Sequence, residues 1–208
     1  MRPNEWLGAR EIEVAEFAYD CACGKRHEGS PHAVLKAPDA FTAQSEEIRA
    51  GGQLSRDFCN YRNVVGQFHF TRAFLAIKIR GTDSYFVWNL WVRLAQEDYN
   101  RYLQAYEKAD SLDEFLCAMS NSLPFYLSTD GMPVKIKRQP GNVLPVVTVP
   151  MMEHPLALDC RDGLLPENAA QMAAAVCPEA IRQAQAVNPP AVPPATADAP
   201  AAAPATTS

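Results

Sequence analysis

RAFLAIKIRGTDSYFVWNLWVRL, residues 72–94, is the stretch whose reading decides the fold. Along an extended chain Ala73, Leu75, Ile77 and Ile79 share one face, and Phe74, Ala76, Lys78 and Arg80 share the other. Gly81-Thr82-Asp83-Ser84 reads as a turn, and Tyr85–Leu94 beyond it is rich in aromatic and β-branched residues. Two strands joined by so short a connection pair most simply as an antiparallel hairpin, here expected at the centre of a sheet. Trp88 and Trp91 lie three apart and therefore face opposite sides. One is expected in the core. The other, if accessible, is a candidate anchor for a protein interface.

Upstream of the hairpin, Glu13–Asp20 alternates loosely and predicts a first strand entering the turn Cys23-Gly24-Lys25, and Phe41–Ala50 predicts a short helix ended by Gly51-Gly52. Downstream, Tyr99, Tyr102, Leu103 and Tyr106 form a helical stripe. Ser111-Leu112-Asp113-Glu114 has the form of a capping box, and Leu112, Phe115, Leu116, Met119 and Leu123 predict a second helix stopped by Pro124. Val134–Lys137 and Leu144–Val149 read as strands around the turn Gln139-Pro140-Gly141-Asn142, and Pro166 opens a last helix with Ala169, Met172, Ala173 and Val176 inward. Strands and helices do not alternate strictly. The expected class is therefore α+β: one domain over residues 1–187, a mainly antiparallel sheet with a central hairpin, and about three helices packed on it. Residues 188–208 carry six prolines and one charged residue among Ala and Thr, and are expected to form a disordered tail.

The composition excludes several function classes. With 48% apolar and 21% charged residues the chain should fold, and its formal charge of −5 argues against a nucleic-acid partner. Apolar runs such as Tyr85–Trp91 and Val143–Val149 are too short to cross a bilayer, so no membrane partner is expected. Charges between Arg2 and Glu16 interrupt any export-signal core, which makes the cytoplasm the expected compartment. There the six cysteines are expected as thiols or metal ligands, with Cys117, Cys160 and Cys177 serving as small buried hydrophobes.

Cys21-Ala22-Cys23-Gly24-Lys25-Arg26-His27 is the cluster with metal chemistry at close spacing. Two thiolates and an imidazole around a glycine turn suit Zn²⁺, with Cys59 as first choice for a fourth ligand and His32 or His69 behind it. On an extended backbone Cys-x-Cys would send its side chains to opposite sides, and the competing interpretation is a plain β-turn with a surface histidine. No nucleophile elbow, zinc-hydrolase helix or phosphate-cradling glycine loop is present. Asp57, Cys59, Arg72 and His154 form a candidate pocket if the fold gathers them, although His154 at Pro155-Leu156-Ala157 also suits a purely local backbone role. The basic run Lys135-Ile136-Lys137-Arg138 reads as a solvated strand face.

These motifs resemble a bacterial family, domain of unknown function 2199. The resemblance rests on Cys23, Gly24 and His27, on Ser55-Arg56-Asp57-Phe58-Cys59, on Arg72 with Phe86–Val92, and on His154-Pro155-Leu156-Ala157 followed by Gly163, spanning about Phe17 to Cys177. The family pattern implies two residues between its paired cysteines. Here Asp20 holds the matching position and Cys21 is displaced by one. The resemblance implies a soluble bacterial single-domain protein and carries no activity.

Three functions remain open on these grounds. The first is a non-enzymatic protein-binding domain with an N-terminal structural zinc site. The second is an enzyme or small-ligand binder using Asp57, Cys59, Arg72 and His154. The third is an immunity-type inhibitor of a toxin, which an acidic single domain also suits.

Overall fold

The computed structural model describes residues 16–21, 23–150 and 153–176. Cys177, the tail 188–208 and residues 13–15 of the expected first strand lie outside them. In chain order the elements are β1 (Ala18–Asp20), β2 (Arg26–Glu28), β3 (His32–Val34), α1 (Asp39–Thr42), α2 (Glu46–Gly51), β4 (Gln53–Leu54) and β5 (Phe58–Asn63). There follow β6 (Gly66–Lys78), β7 (Tyr85–Leu94), α3 (Gln96–Glu107), β8 (Leu112–Met119), β9 (Pro133–Arg138), β10 (Val146–Thr148), α4 (Pro155–Asp162) and α5 (Pro166–Val176).

β6 and β7 pair antiparallel, with Ala73 opposite Leu90, Leu75 opposite Trp88 and Ile77 opposite Phe86. The sheet they begin is not the mainly antiparallel sheet with a central hairpin expected from the sequence. β7 pairs with β8, β8 with β9 and β9 with β10, all antiparallel, and β10 returns parallel to β6 with Val146 opposite Phe74. The result is a closed five-stranded mixed barrel with extra strands, carrying five short helices. β5 lies along the first half of β6, and β3 runs parallel to β7 beside Val87–Asn89.

The overturned element is residues 112–119, which form β8 and not a helix. Its capping box and 3.6-residue stripe are local signals, and pairing with distant strands outweighs them. Cys117 faces Val134, Met119 faces Val92, and both side chains are buried, whereas Leu116 of the supposed helical stripe points to solvent. A register shift between Leu112 and Phe115 marks a bulge where the strand bends to close the barrel.

Two cores lie on opposite faces of the β6–β7 ribbon. The barrel interior holds Leu75, Ile77, Phe86, Trp88, Leu90, Met119 and Ile136, and packs against side chains of α3, α4 and α5. A smaller cluster of Phe41, Cys59, Tyr61, Phe70 and Trp91 fills the other face. Trp88 and Trp91 thus face opposite ways as their spacing requires, but each is fully buried, so neither is an accessible interface anchor. The end of α4 is drawn against β6 at Gly163, where Leu164 N donates to Lys78 O and Arg80 Nε donates to Gly163 O. A Cβ there would meet Lys78 O at 3.1 Å, and the φ of +84° also favours glycine. Among the described residues no helix is long and apolar enough to cross a membrane.

Candidate metal centre

β1 and β2 form a separate two-stranded ribbon, with Tyr19 opposite His27 and Asp20 opposite Arg26. The connection closes through Gly24 N donating to Cys21 O and Cys21 N donating to Lys25 O, both at 2.9 Å. Gly24 takes φ +80°, a left-handed conformation that glycine adopts without strain. The turn defeats the alternation argument. Cys21 follows the last residue of β1 and Cys23 lies within the bend, so the two thiols are not sent to opposite sides.

The ligand atoms of Cys21, Cys23 and His27 all lie within 4.8 Å of one another. Cys23 Sγ is 3.5 Å from His27 Nε2, and Cys23 N donates to Cys21 Sγ at 3.4 Å. The imidazole is oriented by stacking on Tyr19 at 5.3 Å, and Tyr19 stacks in turn on the buried Phe17. Tetrahedral Zn²⁺ with bonds of about 2.0–2.3 Å needs ligand atoms roughly 3.5–3.8 Å apart, a spacing that Cys23 Sγ and His27 Nε2 already have at 3.5 Å. The residues fit the ion: two sulfurs and one ring nitrogen are the donors zinc takes.

The other proposed ligands stand elsewhere. Cys59 is fully buried in the second core, where burial pushes its thiol up to about 12. His32 is exposed on β3. His69 is buried, stacked on Tyr99 at 4.4 Å, with Nε2 2.7 Å from Gln96 Oε1. Among the described residues no fourth Cys, His, Asp or Glu joins the three.

The candidate pocket residues are divided. Asp57 and Arg72 are joined through the backbone, Arg72 N donating to Asp57 O at 2.9 Å, while the Asp57 carboxylate accepts from Tyr106 Oη at 3.5 Å. Arg72 lies over the Trp91 ring at 4.9 Å, its Nε buried without a partner, and burial lowers its pKa. Asp57, but not Arg72, lines a cavity of about 500 Å³ together with Arg56, Tyr106 and Asn142. His154 is not part of this group. It caps α4, its Nδ1 accepting from Leu156 N at 3.2 Å and its Nε2 lying 2.6 Å from Leu127 O. Both ring nitrogens are therefore engaged by backbone, and neither is open to a substrate proton.

Sequence reading missed Arg138. It lies at the end of a basic run, but the alternation of β9 turns Val134, Ile136 and Arg138 inward and Lys135 and Lys137 outward. Arg138 is fully buried, donates to Gly141 O at 2.8 Å and Val143 O at 3.3 Å, and lies over the Tyr106 ring at 5.0 Å. Period-2 spacing was the signal that could have found it. Burial also pushes the thiols of Cys117, which is buried as expected, and Cys160, which is only half-buried, up to about 12.

Over residues 20–164 the chain matches a family described as uncharacterized proteins conserved in bacteria, domain of unknown function 2199. No curated protein and no solved structure matches it.

Proposed function

We propose that this chain, which belongs to that bacterial family, is a non-enzymatic protein-binding domain of the cytoplasm whose N-terminal ribbon is fixed by one structural Zn²⁺. The observation that carries the metal is the convergence of Cys21, Cys23 and His27. Zinc would hold both thiols as thiolates and tie the turn to His27, leaving one tetrahedral position for water. A reducing compartment keeps such thiols available.

The non-enzymatic part of the reading draws on the buried Cys59 thiol and on the engaged nitrogens of His154. A second reading, small-ligand binding, is favoured by one observation, the cavity that Asp57 lines with Arg56, Tyr106 and Asn142. Elemental analysis of protein purified without chelator tests the metal: about one equivalent of zinc is expected, lost in Cys23→Ser. Folded, metal-free protein that is indifferent to chelator would defeat it. A broad hydrolase and transferase screen tests the rest, since turnover abolished by His154→Ala in a folded variant would make the chain an enzyme.

A further inference from the structure

The loop from Asn121 to Met132 combines firm anchoring with apolar display. Thr129 is fully buried, accepts from Leu123 N at 2.7 Å and donates to Asn121 O at 2.8 Å. His154 holds Leu127 O from the far side. Within this frame Phe125 and Ser128 take φ of +74° and +56°, a conformation that bulky L-residues rarely adopt. The outcome is that Phe125 is 50% and Leu127 86% exposed. Backbone strain that leaves large apolar groups in water is unexplained by stability and points to function.

Phe125 borders a cavity of about 250 Å³ that Tyr126, Pro155, Asp159, Gln171 and Met172 also line. Tyr126 Oη donates to Asp159 Oδ2 at 2.7 Å, which fixes the carboxylate and leaves Oδ1 without an assigned protein donor. Within segment 153–176 Asp162 is engaged by Arg161 and influenced by Arg80, which packs at Gly163, and Glu153, Asp159 and Glu167 remain as acidic groups with no cation of the segment left to pair them. Apolar anchors beside an oriented carboxylate in an acidic field select one kind of partner.

We infer that this surface binds a basic peptide segment of a partner protein, seating an apolar side chain against Phe125 and Leu127 and an adjacent lysine or arginine at Asp159. This rests on the protein-binding reading above and gives it a location and a chemistry.

The test is panning of a displayed library of random peptides on the full chain, followed by anisotropy titration of the enriched peptides. Enriched sequences should place Lys or Arg next to an aromatic or aliphatic residue, and binding should weaken as salt rises. Phe125→Ala and Asp159→Asn should each weaken it about tenfold or more. Asn at 159 can still accept from Tyr126, and an unchanged thermal midpoint will show that each variant folds. Peptides that ignore both variants but are lost with Val64→Ser and Val65→Ser, at the exposed tip between β5 and β6, would overturn the location and leave the binding reading standing. No enrichment at all would overturn both. Protection of Phe125 in the free monomer, or a dimer dissolved by Phe125→Ala, would assign the surface to the chain itself or to a second copy, and would also overturn the inference.

Discussion

The β6–β7 ribbon runs from His69 opposite Leu94 to Lys78 opposite Tyr85, and buries Ile77, Phe86, Trp88 and Leu90 completely. The β1–β2 ribbon has three cross-strand pairs and an exposed Asp20–Arg26 ion pair at 3.4 Å. A two-stranded ribbon of that length is marginal by itself, and an exposed ion pair contributes less than about 1 kcal/mol. Burial of Phe17 adds about 1.5–3 kcal/mol, and α5 packs on β1, so the ribbon docks. A zinc ion at three of its residues would outweigh all of these, because structural zinc is worth roughly 10 kcal/mol or more in small folds. One region is held by apolar area gathered from distant segments, while under the zinc proposal the other would be held by ligands that lie within seven residues of one another.

The comparison breaks most severely if the barrel is not the stable unit. Leu75, 2% exposed and opposite Trp88, should cost about 2–5 kcal/mol on replacement by alanine, measured by denaturant unfolding. A cost under about 1 kcal/mol would place β6 at an edge. Next in size is Asn121→Ala. Its amide accepts from Trp91 N at 2.8 Å and donates to Ala37 O and Asp39 Oδ1, joining the barrel to the start of α1 and the loop before it. Leaving the Trp91 N–H buried and unpaired should cost about 2–3 kcal/mol. A neutral result would mean that water replaces the side chain.

What could be read in advance follows the same division. Strands with strong alternation were legible: Tyr85–Leu94 is β7 to the residue, and Arg72–Arg80 falls largely within β6. The grouping of Cys21, Cys23 and His27, which could hold a metal ion, was legible because the three are neighbours in sequence. The barrel was not legible, because closure depends on β10 lying parallel to β6 through Val146 and Phe74, a contact between residues far apart in the chain. Cys59 looked like a ligand by residue type, yet Phe41, Phe70 and Trp91, drawn from three separate elements, bury it. Burial of that kind has no local signature.

Cys23→Ser should act on the small ribbon alone. Hydrogen exchange of the amides of β1 and β2 should accelerate at least about tenfold, while those of β6 and β7 keep their protection. Uniform acceleration would tie the barrel's stability to the metal and erase the contrast between the two regions.

The smallest expected effect separates strand from helix at residues 112–119. On a helix Leu116 would belong to the buried stripe with Leu112, Phe115 and Met119, and its replacement by serine would cost about 2 kcal/mol or more. As part of β8 it faces away from the barrel and is 62% exposed, while its neighbours Cys117 and Met119 line or border the core. Leu116→Ser should therefore shift stability by no more than about 0.5 kcal/mol, and Met119→Ala, 1% exposed, should cost several times as much. Reversal of that order in denaturant unfolding would restore the helix and open the barrel. With β8 removed, β7 and β9 would lose the strand that joins them, so a change of half a kilocalorie at one surface leucine bears on the closure of the whole sheet.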